Sequence, residues 1–264
     1  MADIAMPDEI IAWTKSNGWG PHHLRWHVER IWDRLDPDTL DYAQQQGWTR
    51  YPVQEGEETN GLAFLAMHRV MIQILTTQFP AHAGLFAGWS TPPTDPNDAN
   101  DPVSPNAPPP TAGPFNADMA QAIPRIEGAA NSFDGDDAYG TFVETRWRPF
   151  PNQPTRRSPD TASGIHNYLH GRFSGASEEL DMGNPQVNIH NQRFWRLHGW
   201  IDRVWSAYRT ATGRSDDDPR YKAAIDEARH HMMHMAPMAA RPEAARVKPP
   251  AAIMRSISRT LFAG

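Results

Sequence analysis

One segment limits the possible folds of this chain more than any other. Residues 60–79, NGLAFLAMHRVMIQILTTQF, would be apolar around almost the whole circumference of a helix. A helix of this kind lies inside a protein, with other elements packed around it. It carries His68 near its middle, and burying an imidazole without a partner costs on the order of 1–3 kcal/mol. The rest of the chain must therefore supply both a cover for this helix and a partner for His68.

A second segment, residues 164–209, holds three histidines among aromatic residues. His166 and His170 are four positions apart, which places them on one face of a helix. His198 follows on a second predicted helix with a Trp-rich apolar face. Imidazoles that converge from two packed helices form a site of borderline nitrogen donors, which suits Cu, Zn, Fe or Ni.

The N-terminal half repeats this arrangement. His23 and His27 are again four positions apart on a predicted helix, residues 21–35, and His68 lies on the helix that follows. His22 also precedes His27 by about one turn, so it remains an alternative to His23. Three plus three imidazoles from four helices is the coordination that a pair of copper ions needs. The sequence therefore predicts a mainly α fold, with a four-helix bundle that holds a dinuclear metal site.

The composition narrows both the chemistry and the fold. The chain has no cysteine, which excludes thiolate metal sites, iron–sulfur clusters, disulfides and thiol catalysis. Its net charge of −6, without a basic block, argues against nucleic acid as a partner. Its 25 prolines cluster in places, above all in the Pro-rich loop at residues 89–114, which predicts long irregular connections and little β structure. One short strand is possible at residues 140–147.

We expect residues 1–264 to form a single domain, with the Pro-rich loop draped over it and residues 236–264 as a C-terminal tail. No stretch approaches the roughly 18 consecutive apolar residues of a membrane span. The N-terminus lacks a basic region followed by an apolar run, so no signal peptide is expected. These features predict a cytoplasmic protein without membrane association, and export together with a partner protein would leave no signal in this sequence.

Several of these motifs resemble those of one protein class. HNYLH (166–170), followed by RFWRLHGWIDRVWSAY (193–208), is similar to the second copper-binding segment of the type-3 copper proteins. These proteins are the tyrosinases, catechol oxidases, prophenoloxidases and hemocyanins. HHLRWH (22–27) and LAFLAMHRVMIQ (62–73) resemble the first copper segment in its arthropod hemocyanin and prophenoloxidase version. The tyrosinases of bacteria and fungi usually have a further His nine residues before the one that matches His68, where this chain has Thr59.

The resemblance implies a tyrosinase-like copper domain with two copper ions and small phenolic or aminophenolic substrates. Its activity would be the oxidation of o-diphenols or o-aminophenols by O2. The implied copper ligands are His23, His27, His68, His166, His170 and His198. In tyrosinase-like enzymes an Asn at the position of Asn167 works with an acidic residue to hold a water that takes the phenol proton. Asn167 is therefore the candidate catalytic residue, but the nearest preceding acid, Asp160, is not at the usual spacing, so monophenol oxidation stays open.

Two other functions remain possible from the sequence. One is reversible O2 binding, as in hemocyanins, which use the same ligands. The other is a single metal ion held by His166, His170 and His198, with a merely structural N-terminal half.

Further residues have predicted supporting roles around the metal. Asp202, one turn after His198, is expected to orient a metal-bound imidazole. The aromatic rings of Trp26, Phe194 and Trp200 are expected to stack on the substrate ring or shield it, and the Pro-rich loop is a candidate lid or placeholder. The His- and Met-rich stretch RHHMMHMAPM (229–238) is a hypothetical copper-uptake site, which a copper-delivery partner would load.

Overall fold

The computed structural model describes residues 5–104, 106–107, 111, 113–128, 133–148, 157–175, 178–233 and 249–262. The α-helices in these ranges are α1 (Asp8–Ser16), α2 (Trp19–Arg30), α3 (Pro37–Gln45), α4 (Asn60–Gln78), α5 (Ala117–Glu127), α6 (Asp136–Glu144), α7 (Ile165–Arg172), α8 (Gln192–Ala211), α9 (Pro219–Met233) and α10 (Ala251–Phe262). Short 3-10 helices lie at Trp32–Arg34, Pro80–Phe86 and Asn188–His190. β pairing in the same ranges is limited to two isolated bridges, Ala5–Asn191 and Trp147–Arg157. The prediction of a mainly α fold is confirmed.

Helix α4 is the apolar segment of the sequence, and it lies inside the protein as predicted. Thirteen of its 19 residues are buried, so nearly every face of the helix is covered. Its most extensive packing is against α6 and α9, with further contacts to α8. Because α6 and α9 carry none of the predicted ligands, these contacts do not establish the predicted four-helix bundle.

The predicted strand at residues 140–147 is wrong, because α6 covers residues 136–144. Its β-branched and aromatic residues favour a strand, but tertiary packing overrides that preference. A Cβ atom on Gly140 would lie only 2.1 Å from the carbonyl oxygen of Gly61, so α6 and α4 touch backbone to backbone. The carboxylate of Asp137, in the first turn of α6, also accepts the backbone N–H groups of Thr59 and Leu62 at 2.9 and 3.0 Å. These contacts join the beginnings of the two helices.

The Pro-rich loop and the C-terminal tail are both fastened to the helices. In the loop, Asp101 accepts the indole N–H of Trp89 at 2.9 Å and forms ion pairs at 3.1 Å with Arg193 and Arg196 of α8. The tail contains α10, which the sequence did not predict, and which packs against α3 and α7. No helix in the described part of the chain combines the length and apolarity needed to cross a membrane.

Candidate metal centre

The six predicted ligands are all buried and lie in one cluster. They are His23 and His27 on α2, His68 on α4, His166 and His170 on α7, and His198 on α8. The ring of His68 lies between the two sets, with its centroid 5.7 Å from that of His23 and 4.1 Å from that of His198. The structure also separates His22 from His23, because His22 packs outside the cluster against His231, at 4.3 Å between ring centroids.

Two groups of three imidazoles come close enough to share a metal ion. The ligand nitrogens of His23, His27 and His68 lie within 4.8 Å of one another, and so do those of His68, His166 and His198. His68 thus takes part in both groups, while His170 stands slightly apart. The ring centroid of His170 is 4.5 Å from that of His166 and 5.5 Å from that of His198. Its Nε2 atom is buried without a hydrogen-bond partner, as is that of His68.

Carbonyl oxygens orient five of the six rings through their Nδ1 atoms. The acceptors are Pro185 O for His23 (2.8 Å), Phe64 O for His68 (2.9 Å), Met182 O for His170 (2.7 Å), Phe194 O for His198 (2.7 Å) and the side-chain Oδ1 of Asn167 for His166 (2.8 Å). A carbonyl oxygen only accepts, so each of these Nδ1 atoms carries the ring proton. In a neutral imidazole the Nε2 atom then presents its lone pair toward the cluster.

His166 and His198 show most clearly that this cluster suits a cation. Their Nε2 atoms face each other at 3.1 Å, and both rings already donate from Nδ1. The amide of Asn167 is fixed because its Nδ2 donates to Glu55, so its Oδ1 must accept from His166. Two lone pairs therefore meet with no proton between them. Two nitrogens bound to one metal at about 2.0–2.1 Å, with an angle of roughly 100°, would be separated by about 3.1 Å. These residues fit a bound metal.

Burial keeps all six imidazoles neutral. Removal from water lowers the pKa of His23 to about 4 and that of His170 to about 3. The same cause, followed by repulsion from neighbouring rings, places the pKa of His27, His68, His166 and His198 well below the usual value for histidine. Neutral imidazole is the form that binds a metal ion, so the cluster is ready to coordinate at neutral pH.

Asn167 has an acidic partner, and this partner is Glu55 and not Asp160. Its Nδ2 donates to Oε1 of Glu55 at 3.0 Å, and Glu55 in turn pairs with Arg34. Glu55 belongs to the segment between α3 and α4, far from Asn167 in the chain. Asp160, the nearest acid in sequence, pairs with Arg125 instead at 2.5 Å. No local pattern around Asn167 signals Glu55, because only the packing of the two segments brings them together.

Asp202 does not orient a histidine, so that prediction is wrong. Its carboxylate pairs with Nε of Arg69 at 2.5 Å, and its side chain is 28% exposed. The turn spacing from His198 is correct, but it places Asp202 toward the Arg69 side of α8, away from the imidazole. The backbone carbonyl of Phe194, one turn before His198, takes the orienting role.

Aromatic rings wall the cluster, although not all those predicted. Trp26 lies 4.8 Å from His27 and Phe194 lies 4.0 Å from His198, between ring centroids. Trp200 points elsewhere and donates its indole N–H to Glu127. Phe262, the last residue of α10, stacks on His170 with centroids 4.6 Å apart and planes 13° apart, and no sequence pattern predicts this contact.

The hypothetical copper-uptake stretch falls only partly within the described residues. Residues 229–233 close α9, whereas residues 234–238 lie outside the described part of the chain. His231 contacts His22 and none of the six clustered histidines.

The comparisons with known proteins add no assignment. The chain matches no model of a known protein family, and no curated protein matches it. The function therefore has to be argued from the buried histidine groups themselves.

Proposed function

We propose that this protein is a copper-dependent oxidoreductase of the type-3 class, which oxidises o-diphenols or o-aminophenols with O2 at a pair of copper ions. The observation that carries the proposal is the pair of Nε2 lone pairs of His166 and His198, which face each other at 3.1 Å. A cation between these two rings and a third imidazole relieves that repulsion. The N-terminal group, His23, His27 and His68, offers the same donors for a second ion.

The donor set favours copper among the metals that nitrogen ligands can hold. Both groups consist of imidazoles alone, without a carboxylate. Mg²⁺ and Ca²⁺ prefer oxygen ligands, whereas borderline nitrogen donors suit copper and zinc. The resemblance of the His166–His170 and Phe194–Asp202 motifs to type-3 copper segments then selects copper over zinc.

The electron balance of the proposed reaction is simple. The bound copper ions would pass electrons from the substrate to O2. An o-diphenol loses two electrons and two protons to become an o-quinone, and an o-aminophenol gives the quinone imine in the same way. Two substrate molecules thus supply the four electrons that reduce one O2 to two waters.

The protein positions the imidazoles, keeps bulk water away from them and supplies groups for proton transfer. The carbonyl acceptors fix the directions of the imidazoles, and the walls of Trp26 and Phe194 keep bulk water away. Asn167 lines a cavity beside the cluster, where it can hold a water molecule. Glu55, bonded to Asn167, is the acid to which that water can pass a phenolic proton. This pair extends the proposed substrates to monophenols.

A mononuclear site is the second candidate, because a single ion could occupy one of the two groups of three imidazoles. His68, His166 and His198 form a complete triad without His170, and this triad could hold one ion at the centre of the cluster. In that case His23 and His27 would only line the site.

The test is copper content together with O2 uptake in the presence of 4-methylcatechol or 2-aminophenol. We expect two copper ions per chain, consumption of O2 and formation of the quinone or quinone imine. His198→Ala should abolish turnover, whereas His190→Ala, which changes a buried histidine outside the cluster, should not. Reversible O2 binding without product would instead indicate a carrier. Failure to bind copper would refute the proposed oxidase.

A further inference from the structure

A small cavity lies beside the metal centre, and Arg146 is one of the residues that line it. The cavity has a volume of about 50 Å³, which is room for a few water molecules. Its lining includes Asn167, the neighbour of His166, and Phe262, which stacks on His170. Arg146 and Trp147 also line this cavity. A group bound here therefore lies next to two of the proposed copper ligands.

Arg146 is the only charged residue among the described residues that line this cavity. Its Nε atom is buried and has no hydrogen-bond partner, and Arg146 forms no ion pair within the described part of the chain. Other arginines nearby are matched with acids: Arg30 with Glu144, and Arg34 with Glu55. The charge of Arg146 thus remains for a partner that the described residues do not supply.

The position of Arg146 is set by the start of α7. Gly164, the residue before α7, has a φ of 88°, a backbone conformation that favours glycine. A Cβ atom at Gly164 would lie 2.9 Å from the backbone nitrogen of Arg146 and 3.2 Å from its Cγ atom. The side chain of Arg146 therefore packs against the same turn that begins the helix of His166 and Asn167. This contact keeps the backbone and Cγ of Arg146 close to the beginning of the helix that carries His166 and His170.

We propose that Arg146 binds the carboxylate of the substrate, and that the preferred substrates are o-diphenols or o-aminophenols that carry a carboxylate on the ring. This inference rests on the proposed function. A guanidinium group binds a carboxylate through two parallel N–H bonds, which fixes orientation as well as position. The cavity is large enough for the carboxylate but not for the whole ring. The ring consequently extends toward Asn167 and the face of His170, where Phe262 now lies and must move aside.

The experiment compares two catechols that differ in charge, 3,4-dihydroxybenzoate and 4-methylcatechol, with the copper-loaded protein at pH 7. We expect Arg146→Gln to raise KM for the benzoate about tenfold or more, equivalent to about 1.4 kcal/mol, while KM for methylcatechol changes less than twofold. Arg146→Lys keeps the charge but loses the paired N–H geometry, so it should restore only part of the affinity. Equal effects on both substrates, or no effect on either, would overturn the proposal.

Arg157→Gln is the matched control, because it removes one positive charge from a side chain that stacks on Trp147 without lining the cavity. It should leave both KM values within twofold. If Arg157→Gln raises the KM for 3,4-dihydroxybenzoate as much as Arg146→Gln does, the overall charge of the protein, and not Arg146, selects the substrate. That result would also overturn the proposal.

A second experiment separates this inference from the proposed function. It measures the binding of benzoate to the metal-free protein by the change in tryptophan fluorescence. Binding that Arg146→Gln abolishes, in a protein that oxidises no catechol, would support the anion site and refute the oxidase. Turnover of methylcatechol without Arg146-dependent binding of benzoate would support the oxidase and refute the anion site.

Discussion

The N-terminal histidine set (His23, His27 and His68) and the C-terminal set (His166, His170 and His198) share one sequence pattern. They differ in whether their rings can form hydrogen bonds to one another without a metal. In each set an i, i+4 pair on one helix meets a single histidine from a later helix. His166 and His198 both donate a hydrogen bond from Nδ1, so the lone pairs on their Nε2 atoms face each other. His23 and His27 also approach to 3.1 Å between Nε2 atoms, but only the Nδ1 of His23 is fixed by a carbonyl. His27 can carry its proton on Nε2 and donate it to His23.

The spacing of histidines therefore does not by itself create the demand for a metal. The demand arises where the surrounding carbonyls dictate the tautomers of both rings. We therefore expect the C-terminal set to bind its ion more tightly than the N-terminal set. The shared position of His68, close to both sets, makes it the residue on which the number of ions depends.

The strongest test of this comparison replaces His68 and His170 separately by alanine. With two ions, each variant should keep one copper per chain and lose at least about a thousandfold in oxidase activity, because the reaction needs both ions. With one ion held by His68, His166 and His198, His170→Ala should keep all its copper and His68→Ala should keep none. Metal analysis of the purified variants decides between these outcomes.

The pH dependence of the metal-free protein tests whether the cluster is neutral. The lowered pKa values, about 4 for His23 and about 3 for His170, mean that between pH 6.5 and 4 the unfolded chain binds protons that the folded chain does not. Stability should be complete above pH 6.5 and should fall by about 1.4 kcal/mol per pH unit for each such histidine. Burial raises the pKa of Glu144 to about 7, which opposes this trend, but it is a single group. Urea unfolding from pH 7.5 to 4.5 measures the slope, and a flat profile would contradict it.

Copper should stabilise the protein, and mainly through the C-terminal set. At a free Cu(I) concentration about a thousand times the Kd, binding contributes about 4 kcal/mol. For a chain of this size the corresponding rise in Tm is roughly 8–16 °C. His27→Ala should retain most of the rise, whereas His198→Ala should lose most of it. Anaerobic thermal unfolding with and without Cu(I) gives the comparison, and the reverse order would show that the N-terminal set is the tighter one.

Glu55→Gln probes a feature that belongs to the C-terminal set alone, since Glu55 reaches the cluster through Asn167. We expect monophenol oxidation to fall about a hundredfold, because a proton acceptor is lost, while oxidation of o-diphenols and copper content stay nearly unchanged. Glu57→Gln is a suitable control, since Glu57 bonds to Gln54 in the same segment. Equal loss with both phenol classes would indicate a structural role for Glu55.

The smallest effect is expected at Asp202, whose ion pair with Arg69 is partly exposed and therefore worth little. Asp202→Asn should change the free energy of unfolding by about 1 kcal/mol or less and leave copper affinity unaltered. Asn167→Ala should lower copper affinity by about 10–100-fold, because it removes the acceptor that fixes His166. Copper titration against a chelator distinguishes the two variants, and similar values for both would contradict the assigned roles.

Much of the helical framework could be predicted because its signals are local. The apolar circumference of residues 60–79 demanded an internal helix, and the four-residue spacing of His166 and His170 placed both on one face. The errors arose where remote packing outweighed local preference. Residues 136–144 are helical through their contact with Gly61, and α10 lies in a stretch expected to be only a tail.

The amino-acid sequence alone specifies the candidate donors, which are imidazoles in two spaced sets, with no cysteine to compete. The folded protein sets the tautomer of each of these imidazoles, because the tautomer depends on the acceptor that faces the Nδ1 atom. It also decided the surroundings, since Glu55, Arg146 and Phe262 come from separate parts of the chain. The spacing of residues along a helix determines the direction in which each side chain points. The acceptors, charges and rings that the side chain contacts come from segments that pack against the helix only in the folded protein.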